Sequence, residues 1–338
     1  MEYRSLGRSG LKVSPLCLGT MMFGRETSPQ QARKIIDAAH DAGINFIDTA
    51  DQYVDGRSEE IVGAAISKRR YDWVLATKVG CPMGDDPHRQ GLSRRWIMQE
   101  VEASLSRLKT DWIDIYYLHL EDTTTPIEET ISTIGQLIRD GKIRYFGVSN
   151  FRSWRIAEVV RQCGLLGVPA PVVSQPYYNA FNRQPEVEQL PVCGHYGLGI
   201  VPYSPLARGV LTGKYEPGKK PNAQTRAGRG DGRMLESEWR KESLDLAQEV
   251  KAYAADRGVS AAHLAVNWVL NNALVTSVLA GPRTLEQWRD YVRALDYDFT
   301  AEDEALFDRL VPAGHPSTPG YSDPRYPIEG RSTRIAGG

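Results

Sequence analysis

Short apolar runs alternate with amphipathic segments along most of this chain. Eight runs have the length and the β-branched and aromatic content of buried strands. They are PLCLGT (15–20), INFIDT (44–49), WVLATK (73–78), DIYYLHL (114–120), IRYFGVS (143–149), PVVSQ (171–175), LGIVPYS (198–204) and LVTSVLAG (274–281). Segments with helical spacing separate them, and this alternation is typical of an α/β fold.

Helix starts are marked by short capping sequences. Ser28, followed by a proline and by Gln31, predicts a helix that begins near residue 29. Thr125, followed by Pro126, predicts another helix start in the same way. Thr284, with a glutamine three residues later, predicts a capping box just before the last strongly periodic helix.

The strand spacing favours a closed barrel. Between residues 44 and 198 the strands recur about every 25 to 40 residues, which suits one strand and one crossover helix per unit. Eight such units form a (β/α)₈ barrel. A doubly wound sheet is the alternative, but its first strand is normally followed by a G-x-G-x-x-G turn, and the sequence has none.

We therefore expect residues 1–338 to form a single (β/α)₈ barrel domain. Three segments fall outside the repeating pattern: a hairpin cap at 1–15, a long polar loop at 210–240 near the mouth, and a C-terminal tail at 312–338. We expect the long loop to be exposed, because residues 216–234 read EPGKKPNAQTRAGRGDGRM.

Charge and cysteine content narrow the possible partners. Lys and Arg number 41 against 42 Asp and Glu, so no global field would attract nucleic acid or an anionic membrane. The four cysteines, at 17, 81, 163 and 193, form no C-x-x-C pair. The first residues, MEYRSLGRSG, contain no apolar signal-peptide core, and no apolar run is long enough to span a bilayer. A cytoplasmic protein is expected.

Polar side chains collect where the predicted strands end. Asp48, Lys78 and His119 close three successive strands, and Tyr53 lies in the loop after the first of them. The later strands end in Ser149, Asn150, Gln175, Tyr203 and Ser204. Each residue alone is more often a packing or solvated group, but in a (β/α)₈ barrel all strand ends face one mouth, where active sites lie.

These residue types suit proton transfer at a carbonyl group. A tyrosine hydroxyl, with an ordinary pKa of about 10, exchanges protons poorly near neutrality. A nearby ammonium favours the phenolate, a carboxylate holds the ammonium in place, and an imidazole can donate a hydrogen bond to a substrate oxygen. Tyr53, Lys78, Asp48 and His119 supply one group of each kind.

Several motifs, in this order, resemble the aldo-keto reductase superfamily, in particular its bacterial-type NADPH-dependent members. They are NFIDTADQY, GRSEEIVGAAI, LATKVG, IDIYYLHLED, GVSNF, VVSQPYYN and VPYSPLARGVLTGKY. The resemblance covers essentially the whole chain. It implies a (β/α)₈ barrel that reduces an aldehyde or ketone with a nicotinamide cofactor, usually NADPH, with NADH less favoured.

Carried over by position, the resemblance makes Tyr53 the proton donor, Lys78 and Asp48 its tuning pair, and His119 the donor to the substrate. Ser149, Asn150 and Gln175 would bind the carboxamide, Tyr203 would stack on the nicotinamide, and the SPLARG loop would follow the pyrophosphate. The implied cofactor contacts are Gly19, Thr20, Met21, Asp48, Ser149, Asn150, Gln175, Tyr203, Ser204, Leu206, Arg208, Gly281, Arg283, Gln287 and Asp290.

The segment AGPRTLEQ independently suggests a phosphate site, because Arg283 stands just before a capped helix N-terminus. The chain then departs from the family: where many relatives read Gln-x-x-Glu-Asn, it has Gln287, Asp290 and Tyr291. Adenine stacking could therefore replace hydrogen bonding at this end. Apolar mouth walls are expected from Met21, Met22, Phe23, Trp73, Cys81, Tyr117 and Tyr178.

Two other functions are compatible with the sequence. The superfamily includes channel-associated regulatory subunits that keep the catalytic residues, although this chain has no long N-terminal extension. A metal-dependent barrel hydrolase using Asp48, His119 and Asp122 is the other possibility, but no H-x-H or H-E-x-x-H motif supports it, and we expect no metal. The substrate would be a small carbonyl compound, and the protein a monomer or a homo-oligomer.

Overall fold

The protein, studied as a computed structural model, is described over residues 1–326 and 328. Its strands are β1 (Arg4–Ser5), β2 (Lys12–Val13), β3 (Leu16–Gly19), β4 (Phe46–Asp48), β5 (Val74–Val79), β6 (Ile113–Leu118), β7 (Ile143–Ser149), β8 (Val173–Gln175), β9 (Gly199–Ile200) and β10 (Val278–Ala280). Its helices are α1 (Pro29–Asp41), α2 (Arg57–Ile66), α3 (Arg94–Leu108), α4 (Ile127–Arg139), α5 (Ser153–Leu166), α6 (Gln189–Tyr196), α7 (Gly232–Ser237), α8 (Lys241–Asp256), α9 (Ala261–Asn271), α10 (Leu285–Ala294) and α11 (Ala301–Leu310).

Eight parallel strands form the barrel, in the order β10-β3-β4-β5-β6-β7-β8-β9. The ring closes between its first and last members, since Thr276 N donates to Ile200 O at 2.9 Å and Leu279 N donates to Pro202 O at 3.0 Å. All eight predicted strands lie in this sheet. The (β/α)₈ barrel is confirmed, and the open doubly wound sheet is excluded because it would leave two unpaired edges.

The predicted N-terminal hairpin is present as the antiparallel pair β1–β2. Leu6 and Val13 are fully buried and pack against Cys17 and Phe46 inside the barrel, so the hairpin closes one of its ends. Gly7 permits this close approach: its φ is +54°, and a Cβ there would lie 2.4 Å from the carbonyl oxygen of Val172.

Strand alternation explains why carboxylates and amines end buried strands. Phe46, Ala76 and Val173 pack in the barrel interior, whereas Ile47 and Leu75 face the helices. Side chains two residues apart share a face. The interior face therefore continues from Phe46 to Asp48, from Ala76 to Lys78 and from Val173 to Gln175, at the end where the helices begin.

The helix caps agree with the sequence in two of three places. The side chains of Ser28 and Thr284 accept hydrogen bonds from the backbone N–H three residues later, as predicted. The capping box at Thr284 is incomplete, because Gln287 Oε1 accepts from Arg283 N instead. The prediction at Thr125 was wrong: the N-cap of α4 is Pro126, and the Thr125 hydroxyl donates to Asp122 at 2.6 Å.

The long polar segment is folded more closely onto the barrel than its composition suggests. It contains α7, and the side chains of Tyr215 and Met234 are buried within it. Arg233 forms a two-pronged ion pair with Asp323, which joins this segment to the C-terminal segment. Most of residues 216–234 are exposed, as predicted, but Ala227 and Met234 are buried and belong to the hydrophobic core. Of the predicted tail, residue 327 and residues 329–338 lie outside the described residues.

Within the described part of the chain, no helix combines the length and apolar character needed to cross a membrane.

Candidate active site

A cavity of about 700 Å³ opens at the C-terminal ends of the strands. It extends from Tyr53 and His119 at one end to Arg283 and Asp290 at the other. Every predicted cofactor contact lines it: Gly19, Thr20, Met21, Asp48, Ser149, Asn150, Gln175, Tyr203, Ser204, Leu206, Arg208, Gly281, Arg283, Gln287 and Asp290. Lys78 is fully buried behind the cavity wall.

Lys78 uses all three of its N–H donors. It forms a short ion pair with Asp48, donates to Thr49 O at 2.7 Å, and donates to Tyr53 Oη at 3.3 Å. An ammonium group has no acceptor, so the Tyr53 oxygen must accept this bond. The phenolic hydrogen of Tyr53 therefore remains available to another acceptor in the cavity.

Burial and charge act on Tyr53 in opposite directions. Burial raises the pKa of Tyr53, the Lys78 ammonium lowers it, and the Asp48 carboxylate raises it, with a net increase. The ammonium favours the phenolate, as predicted, but desolvation has the larger effect on the pKa of Tyr53. Asp48 and Tyr53 raise the pKa of Lys78 against the opposing effect of burial. Tyr53 is thus protonated and Lys78 charged near neutral pH.

His119 lies beside Tyr53, with ring centroids 6.1 Å apart and ring planes at 80°. Burial, followed by the Lys78 charge, lowers the pKa of His119 well below its ordinary value. The imidazole is therefore neutral and carries one N–H. Its Nδ1 is buried and has no hydrogen-bond partner among the described residues.

A second set of hydrogen bonds links the ends of β7 and β8 to the ion pair of Lys78 and Asp48. Gln175 Nε2 donates to Asp48 Oδ2 at 3.0 Å, so its amide hydrogen bonds to a carboxylate. Ser149 Oγ donates to Gln175 O at 2.9 Å and accepts from Asn150 Nδ2 at 3.1 Å. Tyr203 Oη donates to Asn150 Oδ1 at 2.8 Å. Hydrogen bonds therefore join the residues predicted to bind the carboxamide and to stack on the nicotinamide: Ser149, Asn150, Gln175 and Tyr203.

The opposite end of the cavity is strongly cationic. Lys214, Arg226 and Arg283 all line it, and Arg229 is close enough to act on Lys214 electrostatically. Partial desolvation, followed by the charges of Arg283, Arg226 and Arg229, lowers the pKa of Lys214 to about 8. Asp231 pairs with Arg226 at 2.9 Å. Mutual repulsion among these cations makes this end favourable for a bound anion.

Backbone geometry supports a site for phosphate groups at this end. Ser204 and Arg208, in the loop after β9, line the cavity and have φ values of +60° and +51°, a strained geometry that is common at ligand sites. Arg283 N donates to Gln287 Oε1 at 2.8 Å, and Thr27 Oγ1 donates to Arg283 O at 2.9 Å. Arg283 is thus fixed at the N-terminus of α10, an anion-favouring position.

Asp290 is partly neutralised. Its Oδ1 lies 2.9 Å from His263 Nε2 and accepts from Arg293 at 3.1 Å. Tyr291 also lines the cavity, where Arg226 acts on it electrostatically. The family departure at Asp290 and Tyr291 therefore provides an aromatic ring and a screened carboxylate next to the cationic residues.

Several residues that line the cavity were not predicted from the sequence, including Lys214, Arg226, Arg233, His263 and Tyr326. The long loop was predicted near the mouth and the basic character of residues 214–233 was a usable signal, but nothing in the sequence indicated which of its side chains would line the cavity. Of the expected walls, Met21, Met22 and Cys81 line the cavity. The others were wrong, since Phe23, Trp73, Tyr117 and Tyr178 are buried in the core.

The metal-hydrolase alternative receives no support from the geometry. Asp48 is engaged by Lys78 and Gln175, and Asp122 accepts hydrogen bonds from Leu92 and Thr125. Over residues 1–326 and 328, no group of three or more His, Cys, Asp or Glu side chains is arranged to hold a metal ion.

Comparison with known protein families shows which family this chain belongs to. The family model "Aldo/keto reductase family" matches residues 15–312. The chain belongs to the aldo/keto reductase family. It is 38% identical over 331 residues to "Uncharacterized oxidoreductase YrpG" of Bacillus subtilis (strain 168), with 94% of this chain and 98% of that protein covered. The family assignment supports an oxidoreductase acting on small molecules with a nicotinamide nucleotide.

The chain is also similar to proteins named as channel subunits. It is 38% identical over 301 residues to "Probable voltage-gated potassium channel subunit beta" of Oryza sativa subsp. japonica, covering 88% of this chain and 92% of the relative. It is 34% identical over 310 residues to "Putative voltage-gated potassium channel subunit beta" of Schizosaccharomyces pombe, covering 88% and 89%.

Proposed function

We propose that this protein is an NADPH-dependent reductase of aldehydes or ketones. The observation that carries the proposal is the Tyr53 hydroxyl, which faces the cavity 3.3 Å from an ammonium group whose other donors are both satisfied. A protonated phenol next to a fixed positive charge is suited to give a proton to a developing alkoxide.

Each residue at the catalytic end has a different role in proton transfer. The reduced nicotinamide, when bound, supplies the hydride that reaches the carbonyl carbon. The neutral imidazole of His119 donates a hydrogen bond that orients the carbonyl oxygen, and Tyr53 delivers its proton to that oxygen as negative charge develops. Lys78 stabilises the resulting phenolate, and Asp48 keeps Lys78 charged and in place.

The cationic end favours NADPH over NADH. A 2′-phosphate carries up to two negative charges, and Lys214, Arg226 and Arg283 lie where the cavity ends. Gly281 leaves room for close approach, because a Cβ there would meet only the carbonyl oxygen of Gly19, at 4.0 Å. The residues present therefore fit a phosphorylated nucleotide, with Gln287, Asp290 and Tyr291 next to it.

We also propose a reducing, cytoplasmic setting, since all four cysteines are free and buried. A single domain that acts as a monomer or homo-oligomer remains our proposal for the organisation of the chain.

Similarity to proteins named as potassium channel β subunits favours a second candidate function. In that case the chain would bind a nicotinamide nucleotide and a membrane partner while turning over slowly. The same cavity would then report the state of the nucleotide.

An NADPH-oxidation screen tests the primary proposal. The panel should contain aldehydes, ketones, ketosteroids and keto-sugars, with Tyr53→Phe as the matched control. We expect substrate-dependent oxidation that Tyr53→Phe abolishes. Tight NADPH binding with negligible turnover across the panel, combined with co-purification of a membrane protein, would support the regulatory candidate instead.

A further inference from the structure

Tyr177 stacks behind Tyr203 and supports it from outside the cavity. The ring centroids are 5.6 Å apart and the planes differ by 25°. Tyr203 N also donates to Pro176 O at 2.9 Å, so the two chain segments are joined by backbone as well as by side chains. Tyr203 lines the cavity, whereas Tyr177 is 8% exposed and lies behind it.

Glu238 fixes Tyr177 in turn. Tyr177 Oη donates to Glu238 Oε1 at 2.5 Å, and Glu238 is 1% exposed. The second carboxylate oxygen of Glu238 is buried without a hydrogen-bond partner among the described residues. Arg208 Nε lies 4.0 Å from Oε1, so the carboxylate also faces a cation that lines the cavity. Burying a carboxyl group this deeply is costly, and a packing role does not require it.

The edge of the Tyr203 ring is held on the other side by Asn150. Tyr203 Oη donates to Asn150 Oδ1 at 2.8 Å, and Asn150 Nδ2 donates to His119 O at 3.0 Å. A continuous set of contacts therefore runs from Glu238, at the end of α7, through two stacked rings to the backbone of His119.

We propose that Tyr177 and Glu238 are positioning residues for hydride transfer: together they fix the plane of the Tyr203 ring that faces the nicotinamide. This inference rests on the proposed function. Hydride transfer depends on the distance and angle between two reacting carbons, and misplacement by about 1 Å can cost about 10²-fold in rate. A ring restrained by stacking behind it and a hydrogen bond at its edge has little freedom to tilt.

The test compares Tyr177 with the next residue in the chain. Tyr178 is also buried and its hydroxyl also donates to a glutamate, Glu186, at 2.8 Å, but it lies in the core away from the cavity. Tyr177→Leu removes the supporting ring, Tyr177→Phe removes only the hydrogen bond, and Tyr178→Leu and Tyr178→Phe are the matched controls. Glu238→Gln keeps an acceptor and removes the negative charge.

Three quantities should be measured on full-length protein: the single-turnover rate of hydride transfer, the Kd for NADPH, and the rotational mobility of the bound reduced nicotinamide from its fluorescence anisotropy decay. We expect Tyr177→Leu to slow hydride transfer about 10- to 100-fold and to increase nicotinamide mobility, with little change in Kd. Tyr177→Phe should show the same changes to a smaller degree. The Tyr178 variants should lower Tm without changing rate or mobility.

Hydride-transfer rate and nicotinamide mobility unchanged in both Tyr177 variants would overturn the inference. Equal slowing by the Tyr177 and Tyr178 variants would also overturn it, because the effect would then be general destabilisation. Failure of the proposed function is distinguishable, since the wild-type protein would then show no NADPH binding or no hydride transfer to any carbonyl substrate.

Discussion

The two ends of the cavity differ in how their positive charges are balanced by neighbouring groups. At the end lined by Tyr53, the Lys78 ammonium has three satisfied donors and a buried counter-ion in Asp48. At the far end, Lys214, Arg226 and Arg283 line the cavity, and among the described residues the three cations have one ion-pair partner, Asp231, which pairs with Arg226.

The difference shows in the pKa values. The pKa of Lys78 is raised, chiefly because the Asp48 carboxylate overcomes the effect of burial. The pKa of Lys214 falls to about 8, because desolvation and neighbouring cations act together. The charge of Lys78 is therefore compensated within the protein, whereas the cations at the far end would be compensated by a bound anion.

The largest expected effect is at the compensated end. Tyr53→Phe removes the proton donor, and general acid catalysis typically contributes about 10²- to 10⁴-fold, so carbonyl reduction should fall by that factor. NADPH affinity, measured by fluorescence titration, should stay close to wild type because the cationic end is untouched. Unchanged kcat in this variant would remove Tyr53 from the mechanism.

Lys78→Met tests how much the buried ion pair between Lys78 and Asp48 contributes to stability as well as to activity. We expect activity to fall as in Tyr53→Phe while the protein still folds. Breaking a buried ion pair by removing one partner costs about 3 to 5 kcal/mol in unfolding free energy, since Asp48 is left buried and unpaired.

The control is the double variant Lys78→Met with Asp48→Asn, which should recover much of the lost stability without recovering activity. Thermal melting and steady-state kinetics on both proteins separate the two contributions. A single variant that is unfolded at room temperature would contradict the expectation.

At the uncompensated end, Arg283→Ala should weaken NADPH binding and leave NADH binding nearly unchanged. A charge-assisted, two-pronged bond to a phosphate contributes about 1.5 to 3 kcal/mol, which corresponds to about 10- to 150-fold in Kd. Arg293→Ala, which removes an arginine of α10 that donates a hydrogen bond to Asp290, is the matched control. Equal affinities for the two nucleotides in the wild type would exclude Arg283 as a phosphate ligand.

The smallest effect is a pH dependence at Lys214. The ammonium is charged below its pKa of about 8 and neutral above it, so NADPH affinity should decline as pH rises past 8. One linked proton limits the change to about tenfold per pH unit. Lys214→Met should flatten the profile in titrations between pH 6.5 and 9.5, and a wild-type profile that is already flat would contradict this.

The sequence by itself determined the barrel, the order of its strands and the polar residues brought together at its mouth. Period-two alternation forces Asp48 onto the interior face with Phe46, and Lys78 onto that face with Ala76, and parallel strands must present these ends together. This information is local and repeats along the chain, so it can be read without knowing any long-range contact.

Only the tertiary structure decided how the polar segment 210–240 is placed. Its sequence has no hydrophobic periodicity, and its position depends on isolated long-range contacts such as Arg233 with Asp323. The same holds for Tyr177 and Glu238, which are 61 residues apart and meet only because α7 folds back behind the cavity. The pKa of Tyr53 was likewise beyond the sequence, because desolvation depends on the depth of burial and not on which residues are neighbours.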